Sequence, residues 1–240
     1  MVGKHHTMST PNESPTHFDE DRAAGYDERF NRISVVMDAL HLLAKLWFTG
    51  LPENARVLCV GAGTGAELFP LADAFPGWTF TLVDPAGPML AQCRRKAESA
   101  GIADRCTFHE GYLDSLPATA PFDAATSILV SHFVLERDKR IAFFREIADR
   151  LKSGAPLVSA DLCSDMDSPE FATLIPAWTN LLKHSGQDDK TVESFVEALR
   201  GGVDVVPPQE LASLIRSGGF SESTLFYQSL LIHGFISRRG

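Results

Sequence analysis

Three glycines in alternation, Gly61, Gly63 and Gly65, follow directly on the apolar run Val57-Leu58-Cys59-Val60. A strand that must turn sharply into a helix while leaving its amides reachable cannot carry side chains at the turn. A second apolar run, Phe80-Thr81-Leu82-Val83, ends in Asp84, an acid placed where the diol of a ribose would sit. The glycines could make a purely structural turn, and Asp84 could cap the helix that follows it. Their positions at two successive strand ends favour contact with a nucleotide-type cofactor, and so an α/β domain.

The rest of the chain extends that pattern. Strands are expected at residues 56–60, 79–83, 106–109, 123–130 and 157–160, with helices at 66–74, 88–100 and 138–151 between them. Strict alternation of this kind gives a parallel sheet with right-handed crossovers, and ligands bind beyond its carboxyl edge. Upstream, residues 19–48 read as helical. Ile33, Val36, Met37, Leu40, Leu43, Ala44 and Trp47 form one apolar stripe, suited to a lid or a dimer surface. After Asp161 the rhythm breaks. Helices at 169–184 and 190–199 read as an insertion (164–205) over the site, with a further helix at 208–217. Two strands, 223–227 and 231–237, are joined by Gln228-Ser229-Leu230 and should pair as an antiparallel hairpin. The expectation is one domain over residues 17–240, with a helical lid at 17–50, behind a polar tail at 1–16.

Charge and cysteine usage narrow the function classes. Against 31 acids there are 22 Lys and Arg, a net charge of -9, and Arg94-Arg95-Lys96 is the densest basic run. A phosphate-binding surface is normally basic, so nucleic acid is not the expected partner. Cys59, Cys93, Cys106 and Cys163 form no CxxC pair and show no metal spacing, which fits reduced thiols in the cytoplasm. No apolar run is long enough to span a membrane, and the polar start lacks the core of a secretory signal.

Gly61-x-Gly63-x-x-Ala66 also satisfies the loose dinucleotide fingerprint, and Asp84 lies 23 residues beyond Gly61, which suits either cofactor. Three features tilt the balance away from nicotinamide. They are the third glycine followed by Glu67, the helix-rich chain before strand one, and the terminal hairpin with no substrate domain behind it. The chain resembles the class I S-adenosylmethionine-dependent methyltransferases from Asp19 to its end. The markers are Val60-Gly61-Ala62-Gly63-Thr64-Gly65, Val83-Asp84-Pro85, Gly111, Phe122-Asp123-Ala124-Ala125 and Leu151-Lys152-Ser153-Gly154-Ala155. The resemblance implies a Rossmann-like seven-stranded sheet, and S-adenosylmethionine converted to S-adenosylhomocysteine. It also implies cofactor contacts at Gly61, Ala62, Gly63, Gly65, Asp84, Pro85, Met89, Tyr112, Leu113 and Ser127. Tyr112 departs from the family, which commonly has Asp there for the adenine amine; Leu113 backbone or Asp114 would take that role. Within the family, the segment Met89 to Lys96, the inserted helices and Leu225-Phe226-Tyr227-Gln228 look like the carboxy-S-adenosylmethionine synthase group. Lys183, Lys190 and Arg200 are the candidates to hold the extra carboxylate.

Methyl transfer is a displacement at an already activated carbon, so the protein chiefly orients the reactants, and a base helps only some acceptors. His132, just past strand four, is a candidate base or an ordinary hydrogen-bonded histidine. Tyr26 could close over the methionine end or simply pack. Trp178 and His184 could line an acceptor pocket, with Trp178 read as core. Asp161 and Cys163 follow strand five, where Asp161 could cap a loop, and His109 reads as structural. The expected activity is methylation of a small molecule at oxygen or nitrogen. Carboxy-cofactor synthesis, a nicotinamide oxidoreductase and a non-catalytic S-adenosylmethionine binder are the alternatives.

Overall fold

The computed structural model describes residues 34–240. Seven strands form one sheet: β1 (Arg56–Val60), β2 (Thr79–Asp84), β3 (Cys106–Glu110), β4 (Ala124–Ile128), β5 (Pro156–Leu162), β6 (Phe220–Ser229) and β7 (Ile232–Arg239). Their order is β3-β2-β1-β4-β5-β7-β6. β1 to β5 are parallel, while β7 runs antiparallel to both β5 and β6. This is the expected α/β sheet with its terminal hairpin. The strand order reverses between β1 and β4, the switch point where a crevice opens at the carboxyl edge.

Alternation along the strands decides which helix covers which face. Val57, Cys59, Phe80, Leu82, Ala124 and Val158 point to one side. There they meet helices α1 (Ser34–Trp47), α2 (Leu68–Ala74) and α3 (Gly87–Ser99) through Ala44, Leu71 and Leu90. Leu58, Val60, Ala125, Leu157 and Phe235 point to the other side, onto α4 (Arg137–Arg150) and α7 (Pro208–Ser217) through Phe144, Ile147, Leu211 and Ile215. Burying each Val, Leu, Ile or Phe among them stabilises the fold by roughly 1.5–3 kcal/mol. The insertion consists of α5 (Pro169–His184) and α6 (Asp189–Ala198). Phe171, Trp178 and Leu199 pack with Met37 and Leu40 of α1 and with Ile232, so Trp178 belongs to a core.

Several boundaries move, for local reasons. α2 begins at Leu68 rather than Ala66 because turns continue from the glycine loop through Glu67. β4 stops at Ile128 rather than Val130: Leu129 takes φ 59° and the chain turns into a 3-10 turn over Ser131–Phe133. β5 extends to Leu162 because β7 pairs with it along its length, as far as Leu162↔Ile232. Asp161, expected beyond the strand, is therefore in it. The hairpin link shortens to Leu230-Leu231, since Ser229 already pairs with Ile232. Tyr26, the tail and the start of the expected lid lie outside the described residues.

Candidate functional site

The glycine loop leaves β1 at the switch point. Gly61, Gly63 and Gly65 have φ of 69°, 52° and 82°, in the left-handed region that side chains resist. A Cβ on Gly61 would stand 2.3 Å from Val130 Cγ2, so the loop end of β1 lies directly against the chain leaving β4. Gly63 is more open, with Met89 Cε the nearest group to an added Cβ, at 3.7 Å.

Asp84 sits beneath this loop, nearly buried. Its Oδ2 accepts the Gly63 amide at 2.7 Å, and its Oδ1 accepts the Ala86 amide at 2.8 Å. The second bond is an Asx-type turn two residues on rather than a cap of α3. The carboxyl therefore braces the glycine loop against the end of β2. Burial pushes it above its ordinary value, against the pull of the two amides. Each oxygen keeps a further lone pair, enough to accept two ribose hydroxyls.

The other predicted cofactor residues are spread around this edge. Ala62 is buried, with its amide on Val83 O at 3.2 Å. Pro85 is exposed and Met89 is buried on the first turn of α3. Tyr112 is 69% exposed, while Leu113 beside it is buried. Ser127 is fully buried on the α4 side of the sheet, with no hydrogen-bond partner for its Oγ among the described residues.

Glu67, expected only as a neighbour of the third glycine, is the most perturbed acid beside the loop. It is buried, with Thr126 Oγ1 donating to its Oε1 at 3.4 Å. Burial, with the like charge of Asp84 adding to it, raises its carboxyl to about 7.

The second half of the site is built at the ends of β4 and β5. His132 is buried, and its Nδ1 lies 2.8 Å from Asp161 Oδ1. The same oxygen accepts the His132 backbone amide at 3.1 Å, and Ser131 Oγ donates to Asp161 Oδ2 at 2.6 Å. Burial pushes the Asp161 carboxyl up, but the His132 bond, the Arg140 charge and the Ser131 bond outweigh it, so the net direction is down. An ionised Asp161 can only accept, so His132 Nδ1 carries the proton and donates. Among the described residues Nε2 has no hydrogen-bond partner. A neutral imidazole held this way presents a bare nitrogen that can take a proton.

Asp161, expected as a loop cap, is instead the partner of His132. Ser131 and Arg140 are the members of this cluster that sequence reasoning missed. A signal existed for Arg140. With Phe144, Ile147 and Ala148 it forms the buried stripe of α4, a cation in an otherwise apolar row. His109 hydrogen-bonds Ser115 Oγ at 2.8 Å, as suits a structural histidine. Lys183 is paired with Asp189 at 2.7 Å on the surface. His184 is exposed at the end of α5.

Comparison with known proteins bears directly on this geometry. Residues 57–154 match the family model described as a methyltransferase domain. The chain is 28% identical over 236 residues to a ubiquinone/menaquinone biosynthesis C-methyltransferase of Paracoccus denitrificans, covering 88% of this chain and 91% of that one. It is 30% identical over 172 residues to a fatty-acid O-methyltransferase of Mycolicibacterium smegmatis, covering 70% and 60%. The solved mitomycin 7-O-methyltransferase MmcR superposes with a TM-score of 0.66 at 23% identity, over 93% of this chain and 59% of that one. This chain thus spans little more than half of that structure's length.

S-adenosylmethionine, which the family implies, fits the residues present. The open glycine loop, the braced Asp84 carboxylate and buried Met89 converge at the switch point. The chain belongs to the class I S-adenosylmethionine-dependent methyltransferases.

Proposed function

We propose that this protein methylates a hydroxyl group of a small molecule, with His132 as the base that takes the hydroxyl proton. The observation that carries this reading is the buried His132–Asp161 pair, 2.8 Å apart, placed across the switch point from the glycine loop. A thiolate or carboxylate needs no such base; a neutral hydroxyl gains from one. O-methylation is also what the names of the fatty-acid and mitomycin relatives state.

When bound, the cofactor supplies a methyl carbon activated by its sulfonium. The loop amides around Gly63 and the Asp84 carboxylate would hold its methionine and ribose parts, with Met89 packing beside them. Tyr112 and Leu113, after β3, would lie along the adenine. Asp161 fixes the imidazole so that Nε2 is free for the acceptor proton, and stabilises the imidazolium that forms. Phe133 and Leu135, 39% and 48% exposed, flank His132 on its loop and give the acceptor an apolar approach. That environment favours an acceptor with apolar bulk around its hydroxyl.

Carboxy-cofactor synthesis would ask for a cation reserved for the extra carboxylate; of the candidates, Lys183 is engaged with Asp189, and Lys190 and Arg200 are exposed at the surface. A mere binder would have no use for an oriented His–Asp pair.

The test is transfer of labelled methyl from S-adenosylmethionine to a panel of apolar hydroxyl, amine and carbon-acceptor compounds, by wild type and by His132→Gln. Transfer by wild type that collapses in the variant supports the reading. Equal transfer by both, or label appearing only on amine or carbon acceptors, overturns it.

A further inference from the structure

Arg140 is fully buried on α4, and its guanidinium reaches three separate segments. Nε donates to Ser131 Oγ at 2.9 Å, and that hydroxyl donates in turn to Asp161 Oδ2. Nη2 lies 3.8 Å from Asp161 Oδ2 and has no hydrogen-bond partner among the described residues. Nη1 donates to the carbonyl of Asp204 at 2.8 Å and to its carboxylate at 3.1 Å. Asp204 belongs to the stretch that closes the insertion, and its amide donates to His132 O at 2.8 Å. One cation thus stands behind the whole His132–Asp161 pair.

The consequence follows from where protons go in a buried acid–imidazole pair. A carboxylate taken out of water is stable only beside opposite charge and donors. With Asp161 ionised and the ring neutral, the carboxylate accepts from Nδ1–H and Nε2 is bare. If Asp161 took up a proton, it would donate to Nδ1, and the ring's own proton would move to Nε2. The ring would then sit in the same place with no lone pair facing the acceptor.

We propose that Arg140 is a positioning residue: its buried guanidinium keeps Asp161 a carboxylate, thereby selecting the Nδ1–H tautomer of His132, and it staples the end of the insertion to the same pair. This rests on the reading of His132 as the base. The tautomer can nevertheless be observed without any acceptor, so the two ideas fail separately.

The experiment is nitrogen NMR of histidine-labelled protein near pH 8, with the His132 ring assigned by its loss in His132→Gln. Wild type should show the Nδ1–H tautomer. Arg140→Lys, which keeps the charge, should retain it. Arg140→Gln, which removes the charge, should replace it with the Nε2–H pattern. Hydrogen exchange on the same Arg140→Lys sample reads the staple: amides at 203–206 and 131–133 should both exchange at least tenfold faster, since the forked contacts are lost. A wild-type Nε2–H tautomer, or an unchanged tautomer in folded Arg140→Gln, overturns the electrostatic role. Unchanged exchange in Arg140→Lys overturns the staple. If Arg140→Gln does not fold, the double variant Arg140→Gln/Asp161→Asn decides. Refolding shows that the cation serves the carboxylate, and a chain still unfolded shows that it does not.

Discussion

Two buried acids flank the crevice, and they have been driven in opposite directions. Asp161, between β4, β5 and α4, sits with Arg140, Ser131 and His132 around it, and its carboxyl is held below the ordinary range. Glu67, at the end of the glycine loop, is raised to about 7 by burial, with the like charge of Asp84 adding to it, against its own backbone bond, the Thr126 hydroxyl at 3.4 Å and the Lys96 charge. Both are removed from water, so burial does not separate them. The neighbours do. On the β4–β5 side charge and donors are assembled that keep an acid ionised. On the β1–β2 side backbone amides shape the site, and the acid is left near neutrality.

If that contrast is right, the two halves can be broken independently. The largest effect is expected at His132. His132→Gln should lower kcat/KM for a hydroxyl acceptor by roughly 10²–10⁴-fold, the range of general-base catalysis, with affinity for S-adenosylmethionine unchanged in calorimetry. A parallel loss of cofactor affinity would show that the halves are not separate.

Asp84→Ala should do the reverse. It removes the proposed ribose acceptor and the brace under Gly63, and should weaken S-adenosylmethionine by about 2–4 kcal/mol. Native circular dichroism with unchanged affinity would remove Asp84 from the site.

Glu67 tests the contrast through pH. Its carboxyl is raised in the folded chain, so its favourable contribution is full below the unfolded value near 4.5 and is lost as pH climbs through about 7. Glu67→Gln, with no proton to lose, should match wild type near pH 5 and exceed it at pH 8.5 by on the order of 2–3 kcal/mol. Thermal melts across that window measure it. A variant that gains nothing at high pH would mean that Glu67 is ionised at little cost.

The smallest effect should come from a pair at the opposite edge of the sheet. Lys152 Nζ lies 2.7 Å from Asp123 Oδ1 and is itself half exposed. Lys152→Ala should cost no more than about 1 kcal/mol of stability and leave kcat/KM unchanged. This sets the background against which the site variants are judged.

The same contrast separates what was legible in the sequence from what was not. The glycine loop, the acid at the end of β2 and the alternation behind them are contiguous. Turn chemistry and strand periodicity act over a few residues, so local pattern alone is enough to place Gly61, Gly63, Gly65 and Asp84. The α/β class and the terminal hairpin are legible for the same reason. His132 could be named but not judged: one histidine after a strand is compatible with several roles. Its meaning depends on Asp161, 29 residues away, and on Arg140 and Asp204, which are 64 residues apart. Those separations are closed by sheet order, which sets β4 beside β5, and by the packing of α4 across that face. Antiparallel pairing with β7 then carried Asp161 into the strand and turned it towards Arg140 rather than into a loop. The sequence determined the glycine-loop edge because local backbone chemistry makes it. Only the tertiary structure decided the His132–Asp161 side, because a buried charge is defined by its neighbours and those come from distant parts of the chain.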